Sequence, residues 1–366
     1  MSSKKDKSNN LDKYFMSIAM NLAKQRNGLT GLNPSVGCLI VKNNKILSFG
    51  QTGYNGRPHA ESVAISKCKK NELKNSSIYI TMEPCTHYGK TPPCTNEIIK
   101  SKFKRVIYSI NDIDKRTSNK AYSLLRSKKI KVSKGVLKSE SKKIYKNYFQ
   151  HKKYKKPFIA AKIACSSDFF ISSKNKFITN QHSRDVSHIL RYNFDSILIS
   201  SKTANADKSK LSCRINGLES FSPKRLIIDK NLKINKSSPV INDKNRNNTI
   251  IFHSTKDKKK LRYFKLKGVR LIYTNLDSNY NLDLNKVFSK VYSMGIGSII
   301  IEGGKTLTKS VLKDRLINEF YLFKSKKKLG KLGKNNISDF KKTLYFLKKK
   351  ENIETFLNED KIIRYY

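Results

Sequence analysis

The residues best suited to chemistry are a histidine, a glutamate and two cysteines: His59, Glu61, Cys85 and Cys94. One imidazole and two thiolates are three zinc ligands, and a tetrahedral zinc with three protein ligands keeps one position open, as catalytic sites do. Water activated at that position becomes a nucleophile near neutral pH, and a carboxylate such as Glu61 can carry its proton. The set therefore predicts hydrolytic removal of an amino group from a ring.

A structural zinc is the alternative interpretation of the same residues. It would need a fourth cysteine or histidine ligand, and His87 is the nearby candidate. A histidine two positions before a glutamate is common by chance, and so are two cysteines with eight residues between them. The catalytic prediction therefore depends on the elements that position these side chains.

The flanking segments predict elements that can bring the four side chains together. His59 opens a predicted helix, and Cys94 stands at the start of another that continues over residues 95–102. Cys85 follows a predicted strand over residues 77–82. Prolines suit the start of a helix, where amide groups lack partners within the helix. A helix N-terminus also lowers the pKa of a thiol and favours the thiolate that zinc requires.

The remaining patterns of the first half predict an α/β domain over residues 10–150. Apolar residues recur at helical spacing over 11–25, and apolar runs predict three further strands at 36–41, 46–50 and 105–110. Together with the elements around the cysteines, the predicted order is helix, two strands, helix, strand, helix, strand.

A second domain is predicted over residues 157–366. A charged helix over 138–156 ends in a lysine run before Pro157, which is typical of a boundary. Beyond it, strands are predicted at 158–164, 196–199, 225–228, 249–252, 269–273 and 298–301, with helices at 183–192, 284–294 and 307–316. This alternation predicts a mainly parallel sheet covered on both faces.

The formal net charge of +50 on 366 residues raises the hypothesis of nucleic-acid binding. The lysines are spread along the whole chain, however, and no arginine-rich stripe with interleaved aromatic residues is present to stack on bases. We therefore expect no specific nucleic-acid partner, and a general attraction for phosphorylated small molecules.

No sequence feature predicts a membrane association. No run of about eighteen apolar residues is present, so no membrane span is expected. The lysine-rich start of the chain lacks the apolar segment of a secretory signal. We expect a cytoplasmic protein whose six cysteines are metal ligands or buried thiols rather than disulfides.

Three motifs of the first half are distinctive: Asn33-Pro34-Ser35-Val36-Gly37, His59-Ala60-Glu61, and Glu83-Pro84-Cys85-Thr86-His87-Tyr88-Gly89-Lys90-Thr91-Pro92-Pro93-Cys94. Together they closely resemble the bifunctional riboflavin-biosynthesis deaminase/reductase family. The gap between the cysteines is longer than the Cys-x-x-Cys of nucleoside and nucleic-acid deaminases.

This resemblance implies an N-terminal cytidine-deaminase-like α/β/α domain. The domain would hydrolyse the ring amine of a diamino-ribosylamino-pyrimidinone 5′-phosphate, a small phosphorylated pyrimidine. By resemblance His59, Cys85 and Cys94 bind Zn²⁺ and Glu61 is the catalytic proton shuttle. Substrate-binding positions are Asn33, His87 and Lys90.

The second half is similar to the family's reductase domain, an α/β domain with a dihydrofolate-reductase-like fold that uses NADPH to open the ribosyl group into a ribityl chain. The best-preserved segment is Ile301-Glu302-Gly303-Gly304-Lys305-Thr306-Leu307. The resemblance implies cofactor contacts from Ala164, Phe177, Thr203, Asp207, Gly303, Gly304 and Thr306. It implies substrate contacts from Arg191, Leu211, Arg214 and Glu302, and self-association of the chain as a homo-oligomer.

Departures from the family pattern are concentrated in this second half. Phe169 stands where the family has glycine, Phe177 where it usually has tryptophan, and Lys208 lies within an altered Asp-Asp/Asn-Pro run. They keep a second interpretation open, in which the deaminase is active and the other domain is a weakened reductase or an assembly scaffold. A third hypothesis is a basic, nucleic-acid-associated deaminase or zinc protein.

Overall fold

The computed structural model describes residues 2–173 and 177–366. The chain divides into two compact units, the first ending at Lys155 and the second beginning at Lys156. Within the described residues, every helix is too short or too polar to cross a membrane.

The first unit contains five strands and seven helices among its described residues. The strands are β1 (Gly37–Lys42), β2 (Lys45–Gln51), β3 (Ser77–Met82), β4 (Arg105–Ile110) and β5 (Lys131–Lys134). The helices are α1 (Ser2–Lys24), α2 (Ala60–Ser66), α3 (Lys70–Leu73), α4 (Cys94–Lys100), α5 (Lys120–Ser127), α6 (Lys138–Ile144) and α7 (Lys146–Tyr154).

The five strands form one sheet in the order β2-β1-β3-β4-β5. β1 runs antiparallel to β2 and β3, whereas β3, β4 and β5 are parallel. Asn43 and Asn44 form the β1–β2 turn with positive φ angles of 51° and 60°, the conformation that tight hairpin turns need.

Helices cover both faces of this sheet because successive strand residues point to opposite sides. Leu39 and Val41 of β1 pack with α1, α6 and α7, and Cys38 and Ile40 pack with α2, α4 and α5. The predicted α/β/α layering is confirmed. The single helix predicted over 138–156 is instead α6 and α7, which break at the buried Tyr145, whose hydroxyl contacts the Thr81 hydroxyl.

The second unit contains eleven strands and seven helices among its described residues. The strands are β6 (Phe158–Cys165), β7 (Phe170–Ser173), β8 (Ser196–Ser200), β9 (Lys224–Ile228), β10 (Thr249–His253), β11 (Arg270–Tyr273), β12 (Ser298–Ile301), β13 (Glu319–Lys324), β14 (Gly333–Asn336), β15 (Lys350–Asn352) and β16 (Lys361–Tyr365). The helices are α8 (Gln181–Tyr192), α9 (Ser201–Asp207), α10 (Pro239–Asn242), α11 (Lys258–Leu266), α12 (Leu284–Ser293), α13 (Lys305–Lys313) and α14 (Phe340–Thr343).

Nine strands form a sheet in the order β11-β10-β9-β8-β12-β6-β13-β16-β15, and β7 pairs with β14 separately. The strands from β11 to β13 are parallel, and β16 and β15 are antiparallel to their neighbours. Ile159 and Ile163 of β6 join one apolar core with α12 and α13, and Phe158 and Ala160 join the other core with α9 and α11. A mainly parallel sheet covered on both faces is therefore confirmed.

Candidate active sites

The three predicted zinc ligands of the first unit lie together. Nδ1 of His59 lies 3.2 Å from Sγ of Cys94 and 3.6 Å from Sγ of Cys85, and all three candidate ligand atoms lie within 4.8 Å of one another. In a tetrahedral zinc site, bond lengths of about 2.0 Å to nitrogen and 2.3 Å to sulfur separate these atoms by about 3.5 Å. The chemistry and spacing of this donor set fit zinc.

Local backbone geometry fixes each of these ligands. His59 is the N-cap of α2, and Cys94 is the first residue of α4. A Cβ atom at Gly50 of β2 would lie 2.0 Å from the Ala60 carbonyl oxygen. Glycine at that position therefore lets the start of α2 pack directly on the sheet. The Cys94 amide donates to Sγ of Cys85 at 3.3 Å, which ties the two ends of the cysteine loop together.

The electrostatics of the cluster suit proton transfer beside a thiolate. Glu61 is 4% exposed, and this burial raises the pKa of its carboxyl to about 7. The hydrogen bond between the two cysteine side chains lowers the pKa of Cys85 to about 4 and raises that of Cys94. A carboxyl group that titrates near neutral pH can both accept and return a proton.

A cavity of about 400 Å³ opens onto this cluster. Its lining includes His59, Glu61 and Cys85, together with all three predicted substrate-binding residues, Asn33, His87 and Lys90. Nδ1 of His87 lies 3.0 Å from the Thr117 hydroxyl, which holds the ring at the cavity wall. This volume suits a small ligand.

Other residues line this cavity that the sequence analysis did not identify: Arg57, Asp112, Asp114, Arg116, Tyr148 and Lys152. Asp114 pairs with Arg116 at 2.6 Å and with Lys152 at 2.7 Å, and the Arg116 hydrogen bond is the main reason why the pKa of Asp114 is lowered. The polar run over residues 111–116 directly follows β4. Because β4 is parallel to β3, the strand before Cys85, this run was the signal that could have been used.

Glu83, inside the Glu-Pro-Cys motif, anchors that polar loop. Its buried carboxylate accepts hydrogen bonds from the backbone amides of Asp112, Asn119 and Ala121 at 3.2, 3.0 and 3.1 Å. The two residues on either side of Pro84 therefore have different roles. Cys85 belongs to the zinc-ligand cluster, and Glu83 holds the polar loop that lines the neighbouring wall of the cavity.

In the second unit, several predicted cofactor residues converge at the ends of adjacent strands. Thr203 follows β8, and Gly303 and Gly304 follow β12. The Gly304 amide donates to the Thr203 hydroxyl at 3.3 Å. Thr306 lies in the first turn of α13, a nine-residue helix. The segments after β8 and β12, which are far apart in sequence, thus meet beside the N-terminus of α13 and form a corner. A helix N-terminus of this kind is suited to binding the phosphate of a cofactor.

Glu302 lies in a largely buried charge cluster next to that corner. Arg191 donates to both of its carboxylate oxygens, at 2.6 and 2.9 Å, and Nζ of Lys162 lies 3.9 Å away. Burial opposes ionisation of Glu302, but Arg191 and Lys162 outweigh it and lower the pKa of Glu302 to about 2. The sequence analysis missed Lys162, although a lysine within an apolar strand was a usable signal.

Of the remaining predicted residues, some are linked to this cluster and others contact different parts of the unit. Arg214 donates from Nε to His188 at 3.2 Å, and Leu211 is buried. Burial, with the charge of Glu302, raises the pKa of Asp207 at the end of α9. The other two predicted cofactor residues are Ala164, which pairs with Phe323 of β13, and Phe177, whose described contacts tie it to Arg184 of α8.

Phe169 shows how the chain accommodates its departure from glycine. Its φ angle is 68°, in the left-handed region that favours glycine. The ring centroid lies 4.3 Å from Nζ of both Lys324 and Lys341, an arrangement that favours cations against the ring face. The preceding Asp168 accepts from the Leu329 and Gly330 amides at 3.1 and 2.8 Å. Both residues therefore have supporting roles in the local structure.

Comparison with known protein families matches both halves of the chain. Residues 9–110 match the cytidine and deoxycytidylate deaminase zinc-binding region, and residues 157–355 match the RibD C-terminal domain.

Related proteins match this chain over most of its length. The riboflavin biosynthesis protein RibD of Aquifex aeolicus is 32% identical over 96% of this chain and 98% of its own. The protein of the same name from Escherichia coli is 29% identical over 87% of this chain and 89% of its own.

Solved structures agree with these relatives. A diaminohydroxyphosphoribosylaminopyrimidine deaminase/5-amino-6-(5-phosphoribosylamino)uracil reductase from Thermotoga maritima superposes with a TM-score of 0.82 at 27% identity, covering 98% of this chain and 99% of its own. RibD of Acinetobacter baumannii, at 23% identity, shares the fold with a TM-score of 0.83 and covers 98% of this chain and 99% of its own. The chain therefore belongs to the RibD family of bifunctional riboflavin-biosynthesis deaminase/reductases.

Proposed function

We propose that the chain catalyses two successive steps of riboflavin biosynthesis. The first is hydrolytic deamination of a diamino-ribosylamino-pyrimidinone 5′-phosphate, and the second is reduction of its ribosyl group to ribityl. The observation that carries the proposal is the convergence of His59, Cys85 and Cys94 at a cavity that is lined by His59, Cys85 and the buried Glu61.

For the deaminase, His59, Cys85 and Cys94 hold zinc, which supplies the Lewis acidity that makes water a nucleophile near neutral pH. Glu61 takes the proton from the attacking water and returns it to the departing amine, and the raised pKa of its carboxyl suits both transfers.

The cavity wall orients the substrate of this first reaction. We infer that Asn33 and His87 hold the ring by hydrogen bonds and that the ammonium of Lys90 binds the phosphate as a point charge, since all three residues line the cavity. Asp114 neutralises part of the charge of Arg116 and Lys152 on another part of the wall.

For the reductase, the corner formed by Thr203, Gly303 and Gly304 holds NADPH, which supplies the hydride. We infer that the carboxylate of Glu302, which directly precedes Gly303 in the chain, hydrogen-bonds the sugar. Burial lowers the pKa of Lys162 beside it, so this ammonium can release a proton to the substrate more readily than an exposed lysine can.

A weakened reductase is not favoured, because the reductase family match extends over residues 157–355 and the Glu302 cluster is complete. Phe169 itself adopts the left-handed backbone conformation that glycine would favour at this position. We also propose a cytoplasmic, self-associating enzyme without a specific nucleic-acid partner, and sedimentation of the purified chain tests the self-association.

The deciding experiment for the second step supplies the deaminated intermediate directly, with NADPH. We expect NADPH oxidation that depends on the intermediate and yields the ribityl product. Oxidation no faster than the background would instead favour the scaffold interpretation of the second unit.

A further inference from the structure

The two arginines assigned to the substrate of the reductase are not equivalent. Arg191 donates from Nε and Nη2 to Glu302, and from Nη1 to the Ser212 carbonyl at 3.1 Å. Its side chain is 14% exposed. Most of its hydrogen-bonding capacity is therefore used within the protein.

Arg214, by contrast, is exposed and has only its Nε engaged. Within residues 2–173 and 177–366, its two Nη groups have no hydrogen-bond partner. A guanidinium held at Nε presents both Nη groups side by side, which is the geometry that matches two oxygens of a phosphate.

The group that holds Arg214 is His188 of α8, which is 6% exposed. Its Nε2 accepts from Nε of Arg214 at 3.2 Å, so Nε2 carries no proton. The single proton of the neutral ring is then on Nδ1. Nη1 of Arg191 lies 3.3 Å from Nδ1 and donates to the backbone carbonyl of Ser212 at 3.1 Å.

We propose that His188 is a positioning residue of the reductase site, which orients Arg214 so that its free Nη groups bind the phosphate of the substrate. Because the Arg214 guanidinium can only donate, Nε2 of His188 is the acceptor in this pair. Arg191 in turn positions Glu302 through its two hydrogen bonds. The inference rests on the proposed function, since it is that substrate which carries the phosphate.

The main test measures reductase kinetics of the full chain with the deaminated, phosphorylated intermediate. In His188→Ala, we expect KM for this substrate to rise roughly 3- to 10-fold, because Arg214 must then be ordered during binding. We expect kcat and the KM for NADPH to stay near wild type. His188→Gln should recover part of the loss, because its amide oxygen can accept from Nε. A collapse of kcat in both variants would overturn the proposal, since it would indicate a general structural role.

A double-mutant cycle tests whether His188 acts through Arg214. If it does, the combined His188→Ala, Arg214→Ala variant has the same KM as Arg214→Ala alone. If the two substitutions instead raise KM by factors that multiply in the double variant, His188 acts independently of Arg214, which would contradict the proposal.

The dephosphorylated intermediate separates this inference from the proposed function. Wild type and His188→Ala should reduce it with equal kcat/KM, because no phosphate is present for Arg214 to bind. If wild type reduces neither compound, the proposed function itself fails. If wild type reduces the phosphorylated compound and His188→Ala matches it, only the role of His188 is disproved.

Discussion

The imidazole of His59 faces the thiol of Cys94 across 3.2 Å, although 35 positions separate the two residues in the chain. The contact exists because the start of α2 and the start of α4 meet at the end of β3. Cys85, in the loop between β3 and α4, completes the cluster. His59 and Cys94 are thus held at helix starts, and Cys85 is held by the hydrogen bond from the Cys94 amide. These restraints limit the movement of the ligands and preorganise the site.

The role of Glu61 can be separated from metal binding by Glu61→Gln. The amide is nearly the same size as the carboxyl but cannot shuttle a proton, so we expect deamination to fall by about 10²- to 10⁴-fold. Ammonia release measures the activity, and elemental analysis should still find one zinc per chain.

Cys94→Ala is the matched control for Glu61→Gln, since it removes a ligand and should lose zinc and deamination together. Both variants should reduce the deaminated intermediate at the wild-type rate. Full deamination by Glu61→Gln would refute the assigned mechanism.

Removing the carboxylate of Glu302 should destabilise the second unit as well as inactivate it. Glu302→Ala leaves Arg191 and Lys162 as mostly buried cations without their common partner. Breaking a buried ion pair in this way costs about 3–5 kcal/mol. Urea denaturation of the full chain measures the loss, and Lys309→Ala, which removes an exposed ion pair with Asp339, should cost less than about 1 kcal/mol. Equal costs for the two variants would contradict the importance of the buried cluster.

The backbone strain at Phe169 can be measured by comparing Phe169→Gly with Phe169→Ala. Both variants lose the ring and its two lysine contacts, so their difference isolates the backbone. At a φ angle of 68° we expect the glycine variant to be more stable by about 1 kcal/mol. At an ordinary site alanine is the more stable of the two, and finding that order here would rule out the left-handed conformation.

His188 should make the stability of the chain depend on pH. Burial, reinforced by Arg191 and Arg214 and opposed by Glu302, lowers its pKa to about 4 in the folded chain, against about 6.5 when unfolded. Between these values the unfolded chain binds more protons, so the contribution of His188 to stability rises with pH from about 4 to 6.5.

The measurement for this pH effect compares urea denaturation of wild type and His188→Gln at pH 5 and pH 7. Relative to the variant, wild type should lose about 1–2 kcal/mol on going from pH 7 to pH 5. A stability difference that does not change with pH would mean that His188 is protonated alike in the folded and unfolded chain.

Local sequence patterns were sufficient to predict the elements that depend mainly on their own residues. The bounds predicted for β3 and β4 agree with the structure, because each is a short apolar run between polar segments. The convergence of the cysteine loop followed from helix starts and a strand end. The conflict at Phe169 was visible as well, because a bulky residue stood where glycine was expected.

Other features were missed because they depend on contacts between distant segments. The apolar run over residues 320–323 is a local strand signal, but the position of β13 in the sheet comes from its pairing with β6 and β16. Lys162 stands in a predicted apolar strand, but its burial with Glu302 and Arg191 depends on the order of the strands β8, β12 and β6. The polar run after β4 contains Asp114, but the pairing of Asp114 with Lys152 also depends on where α7 packs.

The most direct test of a two-step enzyme supplies the zinc-loaded chain with the diamino-ribosylamino-pyrimidinone 5′-phosphate and NADPH, and follows ammonia and NADPH in the same sample. We expect that ammonia appears first and that one NADPH is then consumed for each ammonia released. Ammonia release with NADPH left unconsumed would contradict the assignment of two activities to this chain.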